Sequence, residues 1–423
     1  MKILLSAYAC EPNKGSEPGV GWNWALALAR RGYEVHVLTR TNNREAIENE
    51  RGKLPTSLHF HFFDYPARAR FWKYWPGGIY LYYLLWQIGA SRVAATLHQQ
   101  ERFDLVQHIT FVSFRQPSFM GRLGIPFIFG PVGGGESMPP QLRKGLPLPA
   151  RLAEALRNAG NRFVSLDPFM RRTYTDAHVI PCATEETLMA IPQRFRSKCI
   201  VQRAIGIDRF AIESGSSLEP SIEQMSKTLP TNQFLFVGRL LYWKGLHLAL
   251  RALATVKDDI PNAVLRVIGE GGDAAWLRRV AGCAGVADRV EWVPRVAHSA
   301  MRDEYGKSVC LIFPSLHDSG GMVVPEAMAA SVPVICLDRG GPGSIVDSTC
   351  GFIVCTKGQS EEQIINLLAT AMIRLSVECD LRARLAAGAR HRARELRWDD
   401  AAEGVYGCAS LLNVLDHGMN VSN

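Results

Sequence analysis

The sequence is as informative for what it lacks as for what it holds. Its 423 residues include ten cysteines, yet no CxxC pair and no Cys/His cluster at zinc-ligand spacing, which excludes a zinc-finger module and a disulfide scaffold. No apolar run approaches the roughly 20 residues needed to span a bilayer. Nothing repeats with a period of about 20 to 50 residues, so a solenoid is excluded. Gly15, Gly19 and Gly21 do not form a GxGxxG in register, so the loop after the first apolar run is not read as a dinucleotide fingerprint. Hydrophobic residues at 47%, charged residues at 21% and a mean hydropathy near zero exclude disordered and fibrous classes. The apolar run in Met1–Cys10 is too short for a signal peptide and reads as a buried strand. With unpaired thiols, this sets the expectation of a cytoplasmic enzyme.

What is present is enough chain for two domains, and an uneven charge. Residues 1–209 carry 27 Lys+Arg against 16 Asp+Glu, and the remainder 21 against 24, so the whole excess of +8 sits in the first half. That half is expected to face something anionic. Nucleic acid is set aside, because the chain has no RNP-like sequence and no uniformly basic helix. In Pro66–Ala90, Arg68, Arg70 and Lys73 interleave with Phe71, Trp72, Tyr74 and Trp75, ahead of the run Ile79–Trp86. Aromatics beside cations suit an in-plane contact with an anionic membrane surface, and equally suit a helix packed into a core.

Short β-branched runs alternate with helical stretches, the pattern of parallel sheets covered by helices. The expected strands are Lys2–Ala7, Glu34–Thr39, His59–Asp64, Leu105–Ile109, Pro126–Phe129, Val179–Cys182 and Ile200–Arg203, then Phe234–Val237, Ala263–Ile268, Arg289–Val293, Cys310–Phe313, Val334–Leu337 and Phe352–Val354. Two such sets predict two doubly wound α/β domains, with an N-terminal domain over residues 1–210, a polar linker over 211–232, a C-terminal domain over 233–395 and a terminal helix over 396–423.

Three motifs follow strand ends. After Phe313 comes a loop, Pro314–Gly321, and a helix opening near Met322, whose free N–H groups would suit a diphosphate. Asp318 and Glu326 stand eight residues apart on it and could bracket a sugar nucleotide. On spacing alone the plainer reading is a capping aspartate and a locally paired glutamate. After Val237 comes Gly238-Arg239, then Lys244-Gly245, where two cations can converge on one phosphate and neutralise a departing charge without a metal. A solvated basic turn is the plainer reading of that motif in isolation. The third is the Gly-rich stretch Cys10–Trp22, and His108 ends an expected strand, where a lone histidine is more often structural.

Taken in order, Gly238-Arg239 with Lys244-Gly245, Gly269-Glu270-Gly271, Pro314-Ser315 through Pro325-Glu326-Ala327, and Gly340-Gly341 resemble the retaining family 4 glycosyltransferases of GT-B fold, over nearly the whole chain. The resemblance implies two Rossmann-like domains facing across a cleft, and transfer of a sugar from a UDP or GDP sugar, with retention, to a lipid-linked or glycan acceptor in polysaccharide assembly. It implies that Arg239 and Lys244 hold the diphosphate, that Glu326 holds the ribose, and that Asp318, where the family usually has Glu, meets the donor sugar. Glu270 and Val293 would lie near the base, Gly321, Met322 and Val323 at phosphate or sugar, and on the N-terminal side Gly19 would bind the donor and His108 would be a catalytic residue contacting ligand in the cleft. No metal and no cofactor are implied. The acceptor would be chosen by loops such as Gly130–Pro149. A GT-B nucleotide-sugar 2-epimerase and a non-catalytic GT-B scaffold are the rival readings; the first lacks acid/base groups beyond Asp318 and His108, and the second has no use for two cations and two carboxylates.

Overall fold

The computed structural model describes residues 1–66, 68, 70–75, 78–208 and 232–408. The expected linker therefore lies outside the described residues, except for its last residue, as does the end of the terminal helix.

Two compact units are built from these residues. The first comprises residues 1–135, 159–205 and the chain from Trp398; the second comprises 136–158 and 206–397. In the first, five parallel strands run in the order β3-β2-β1-β4-β5: β1 (Lys2–Ser6), β2 (Glu34–Thr39), β3 (Leu58–Phe62), β4 (Leu105–His108) and β5 (Phe127–Phe129). A two-stranded pair, β6 (Ile180–Cys182) and β7 (Cys199–Val201), joins β5 through single bridges such as Ile128 to Val179. The second unit holds six parallel strands in the order β10-β9-β8-β11-β12-β13: β8 (Gln233–Val237), β9 (Val264–Ile268), β10 (Val290–Val293), β11 (Cys310–Phe313), β12 (Val334–Leu337) and β13 (Gly351–Val354). β1, β4, β11 and β12 are almost wholly buried, as strands covered on both faces by helices must be. Both sheets are doubly wound.

The first four α-helices are α1 (Ser16–Arg30), α2 (Arg44–Glu48), α3 (Gly78–Glu101) and α4 (Leu148–Phe163). α3 settles the aromatic segment both ways at once. Tyr82, Tyr83 and Trp86 are buried in the core beside Tyr8 and Phe114, while Phe71, Trp75, Tyr80 and Leu81 remain more than half exposed. No helix among the described residues is long and apolar enough to cross a membrane.

One boundary differs from the sequence expectation. Residues 136–158 group with the second unit, because their buried polar groups find partners there: Gln141 Nε2 donates to the Thr356 carbonyl at 2.7 Å, Glu136 accepts from Ser319 Oγ at 2.7 Å, and Glu154 is bonded to Tyr242 and His317. The helix Trp398–Tyr406 belongs to the first unit, where Tyr406 Oη donates to Gln107 Oε1 at 2.6 Å and Glu403 pairs with Arg31.

His247, in the first turn of the helix Leu246–Val256, sits in the core against the Trp276 ring, with no hydrogen-bond partner for either ring nitrogen among the described residues. Burial, helped by Arg251, holds its pKa down to about 3. Below pH ~6.5 the unfolded chain takes up a proton that the native protein refuses, so this residue removes stability as pH falls from there toward about 3. His247→Leu is therefore expected to lose about 1–2 kcal/mol less than the parent between pH 7.5 and pH 5, measured by urea unfolding at the two pH values.

Candidate functional site

In the second unit the strand order reverses between β8 and β11. The chain leaves β8 toward β9 on one side and later enters β11 on the other, so the loops after these strands diverge and open a crevice at their carboxyl ends. Three of the sequence motifs converge there.

The loops after β8 and β11 are fastened residue by residue. Leu316 N donates to the Trp243 carbonyl at 2.8 Å, and Ser315 Oγ donates to the same oxygen at 3.2 Å. The Trp243 and His317 rings stack at 5.8 Å. Lys244 Nζ donates to the Asp318 carboxylate and lies 5.3 Å from the centre of the Phe313 ring. Gly245 turns the chain with φ +74°, and a Cβ there would stand 1.9 Å from the Pro314 carbonyl oxygen. Burial would raise the Asp318 pKa, but the Lys244 charge and hydrogen bond, with the Gly320 N–H, outweigh it and leave the carboxyl below its ordinary value. Asp318 is thus an anion at neutral pH.

The loop after β9 is held just as closely. Leu240 N donates to the Glu270 carbonyl at 2.9 Å and Gly238 N to Ile268 at 3.0 Å, and a Cβ on Gly269 would meet the Gly238 oxygen at 1.9 Å. Gly269 N in turn donates to the Val293 carbonyl at 2.9 Å. Arg239 and Glu270 are left exposed, and the Arg239 side chain has no partner among the described residues. Gly321, at φ +75°, leads through Met322 into the helix Val323–Ala329, on which Glu326 Oε2 accepts from Tyr305 Oη at 3.0 Å. Burial raises the Glu326 pKa against the opposing effects of His298 and the Tyr305 hydrogen bond.

The residues that motif reading missed stand behind this rim. Glu154 is 1% exposed on α4, and its Oε1 accepts from Tyr242 Oη at 3.0 Å and contacts His317 Nε2 at 2.8 Å. Burial would raise its pKa, and the His317 and Tyr242 hydrogen bonds, with the charges of His317 and Arg157, overcome that and lower it. Glu136 accepts from Ser319. No short-range signal marks either carboxylate, since their partners stand far along the chain.

In the first unit, Gly19 and Gly21 lie within α1 where a Cβ would meet Lys14 O at 2.1 Å and Ala9 O at 2.2 Å. Glu17 Oε2 accepts from Phe111 N at 2.7 Å, tying the loop after β1 to that after β4. His108 is fully buried, with Nε2 2.9 Å from Tyr83 Oη and 3.0 Å from Gln87 Nε2. Burial brings its pKa down to about 3, so the ring is neutral and sits inside the core against α3. A search for metal-ligand spacing along the chain also misses a group assembled across strands: Glu34, His36 and His59 present ligand atoms within 4.8 Å of one another, although Lys2 Nζ already pairs with Glu34 at 3.0 Å.

This arrangement of two doubly wound units is the GT-B fold, shared across the whole chain with solved structures. Sucrose-phosphate synthase from Thermosynechococcus elongatus covers all of both chains with TM-score 0.64 at 17% identity. Anabaena Alr3699/HepE in complex with UDP-glucose covers 96% of this chain and all of its own, with TM-score 0.60 at 16% identity. The Glycosyltransferase Family 4 pattern matches residues 21–185 and the Glycosyl transferases group 1 pattern matches residues 219–392. The chain belongs to the family 4, group 1 glycosyltransferases. A relative by sequence is the D-inositol 3-phosphate glycosyltransferase of Streptomyces bingchenggensis, 30% identical over 178 residues, 40% of this chain and 38% of that protein. The matched region spans about half or less of the length of such curated relatives, from 36% to 52%.

Removing the Glu154 carboxylate strands a buried hydroxyl and imidazole together. Glu154→Ala is expected to destabilise the protein by about 3 kcal/mol, read from the urea midpoint, and Glu154→Gln, which keeps an acceptor, by less.

Proposed function

We propose that the protein transfers a sugar, with retention at the anomeric carbon, from a nucleoside-diphosphate sugar to a lipid-linked or glycan acceptor in cell-surface polysaccharide assembly. The observation that carries this reading is the fastening of Lys244 to Asp318 at the carboxyl ends of β8 and β11, with Arg239 exposed on the loop after β8.

Arg239 offers a planar fork for two phosphate oxygens and Lys244 a point charge, so the pair neutralises the diphosphate as the glycosidic bond breaks and negative charge grows on the leaving oxygen. Asp318, ionised and fixed by Lys244, accepts from hydroxyls of the donor sugar and keeps the ammonium aimed at the crevice. Glu326 accepts from the ribose hydroxyls. Glu270 and Val293 line the position of the base, and backbone at Gly321, Met322 and Val323 meets phosphate or sugar. Retention follows if the acceptor hydroxyl enters from the face the diphosphate leaves. Its oxygen bonds to the anomeric carbon, and its proton passes to the departing phosphate oxygen. No protein nucleophile is required. The enclosed, neutral His108 supports the packing of α3 in this reading, and Gly19 allows the close approach of Lys14 to α1.

UDP sugars head the donor panel, because the Anabaena neighbour is described with UDP-glucose. One nucleotide series should raise the melting temperature, by the equivalent of about 2.7 kcal/mol at a hundredfold excess over Kd, and should be slowly hydrolysed. Arg239→Ala and Lys244→Ala should each lower kcat/KM by about a hundredfold with the fold intact. Unchanged rates in either variant would remove the diphosphate assignment.

A further inference from the structure

α4 is folded with its faces reversed. At 100° per residue, Leu148, Leu152, Leu156 and Phe163 fall within about 80° of one another, a continuous apolar stripe. Such a stripe ordinarily faces the core, yet here the four side chains are 74%, 60%, 66% and 59% exposed. The opposite face is polar and turned inward, with Glu154 buried and Arg157 and Asn161 half-buried. The inward face is fixed by the Glu154 bonds to Tyr242 and His317, so the helix cannot roll its leucines under without breaking them.

The charge beside the stripe selects its occupant. Arg151 and Arg162 flank it on one side, both exposed. The helix has no exposed carboxylate, because its single acid, Glu154, is buried. A second copy of the chain laid face to face would therefore bring arginines together with nothing on the helix to pair them. Anionic headgroups pair them directly, while the leucines and Phe163 enter the acyl boundary. At 16 residues, about 24 Å, the helix is too short to span a bilayer and long enough to lie in its surface. The basic excess of the first half of the chain acts in the same direction.

We propose that α4 is an interfacial helix that docks the protein on an anionic phospholipid surface. The inference deepens the reading of a lipid-linked acceptor, since it names the surface by which the protein meets lipid. It also shifts the expected contact from the Pro66–Trp86 segment, whose Tyr82, Tyr83 and Trp86 are core.

The test is co-sedimentation of the full chain, without donor sugar, with vesicles of phosphatidylcholine alone or mixed with phosphatidylglycerol. The parent should bind the mixed vesicles, bind phosphatidylcholine weakly, and be released by salt. L152E/L156E, which alters only exposed side chains, should reduce binding about tenfold or more with an unchanged circular dichroism spectrum and melting temperature. R151E/R162E should reduce it comparably on mixed vesicles alone. Three results would overturn the proposal: no binding of the parent to mixed vesicles; equal binding by L152E/L156E; or a parent dimer that L152E/L156E converts to monomer without any vesicle binding, which assigns the stripe to a second copy. Loss of binding in Trp75→Glu with retention in L152E/L156E would return the contact to the 66–86 segment. Donor-induced stabilisation, measured separately on L152E/L156E, distinguishes failure of this surface from failure of the transferase reading.

Discussion

The geometry of the crevice depends on one buried carboxylate. Glu154 Oε1 holds Tyr242 and His317 together, and these residues stand close in sequence to the proposed donor-binding pair: Tyr242 two before Lys244, and His317 one before Asp318. Fixing the first pair fixes the second. A carboxylate removed from water needs compensating partners; the hydrogen bonds from Tyr242 and His317, both on Oε1, and the nearby Arg157 charge supply part of that compensation, while Oε2 is buried with no hydrogen bond among the described residues. The arrangement is stiff, because loosening either loop would leave a buried charge without compensation.

Around this point the shape of the crevice is set by backbone more than by side chains. Gly269 lies against Gly238, Gly245 against Pro314 and Gly340 against Asp318, each so close that a Cβ would stand about 2 Å from a carbonyl oxygen. Loops after β8, β9, β11 and β12 are thereby drawn into contact at the carboxyl ends of the sheet. The side chains of Arg239 and Glu270 are left exposed at these loops.

How far the sequence discloses this depends on the range of the interactions. The strands were legible because each is a short apolar run bounded by turn residues, and the observed strands fall within a residue or two of every expected one. Lys244 and Asp318 were each legible as motif members, since strand-to-loop junctions carry their own glycines; their pairing with each other was not. Glu154 was illegible. Flanked by Arg151 and Arg157 at three-residue steps, it has the pattern of an ordinary surface ion pair, while its true partners stand 88 and 163 residues away. The Glu34, His36 and His59 group was hidden for the same reason, since register between β2 and β3, not spacing along the chain, brings it together.

α4 also shows why periodicity alone misleads. A stripe of leucines at four-residue steps argues for burial, and each such side chain left in water forgoes about 1.5–3 kcal/mol. The helix forgoes this because its other face carries the group that the crevice cannot lose. Turning the leucines inward would withdraw Glu154 from Tyr242 and His317, and would put a carboxylate on the surface where Arg151 and Arg162 now stand uncontested. The polar bonds therefore set the rotation of the helix, and its apolar face is outward as a consequence. On the proposed docking, an anionic lipid surface would recover the stabilisation that the fold forgoes, and would do so on the helix that holds the loops carrying Lys244 and Asp318.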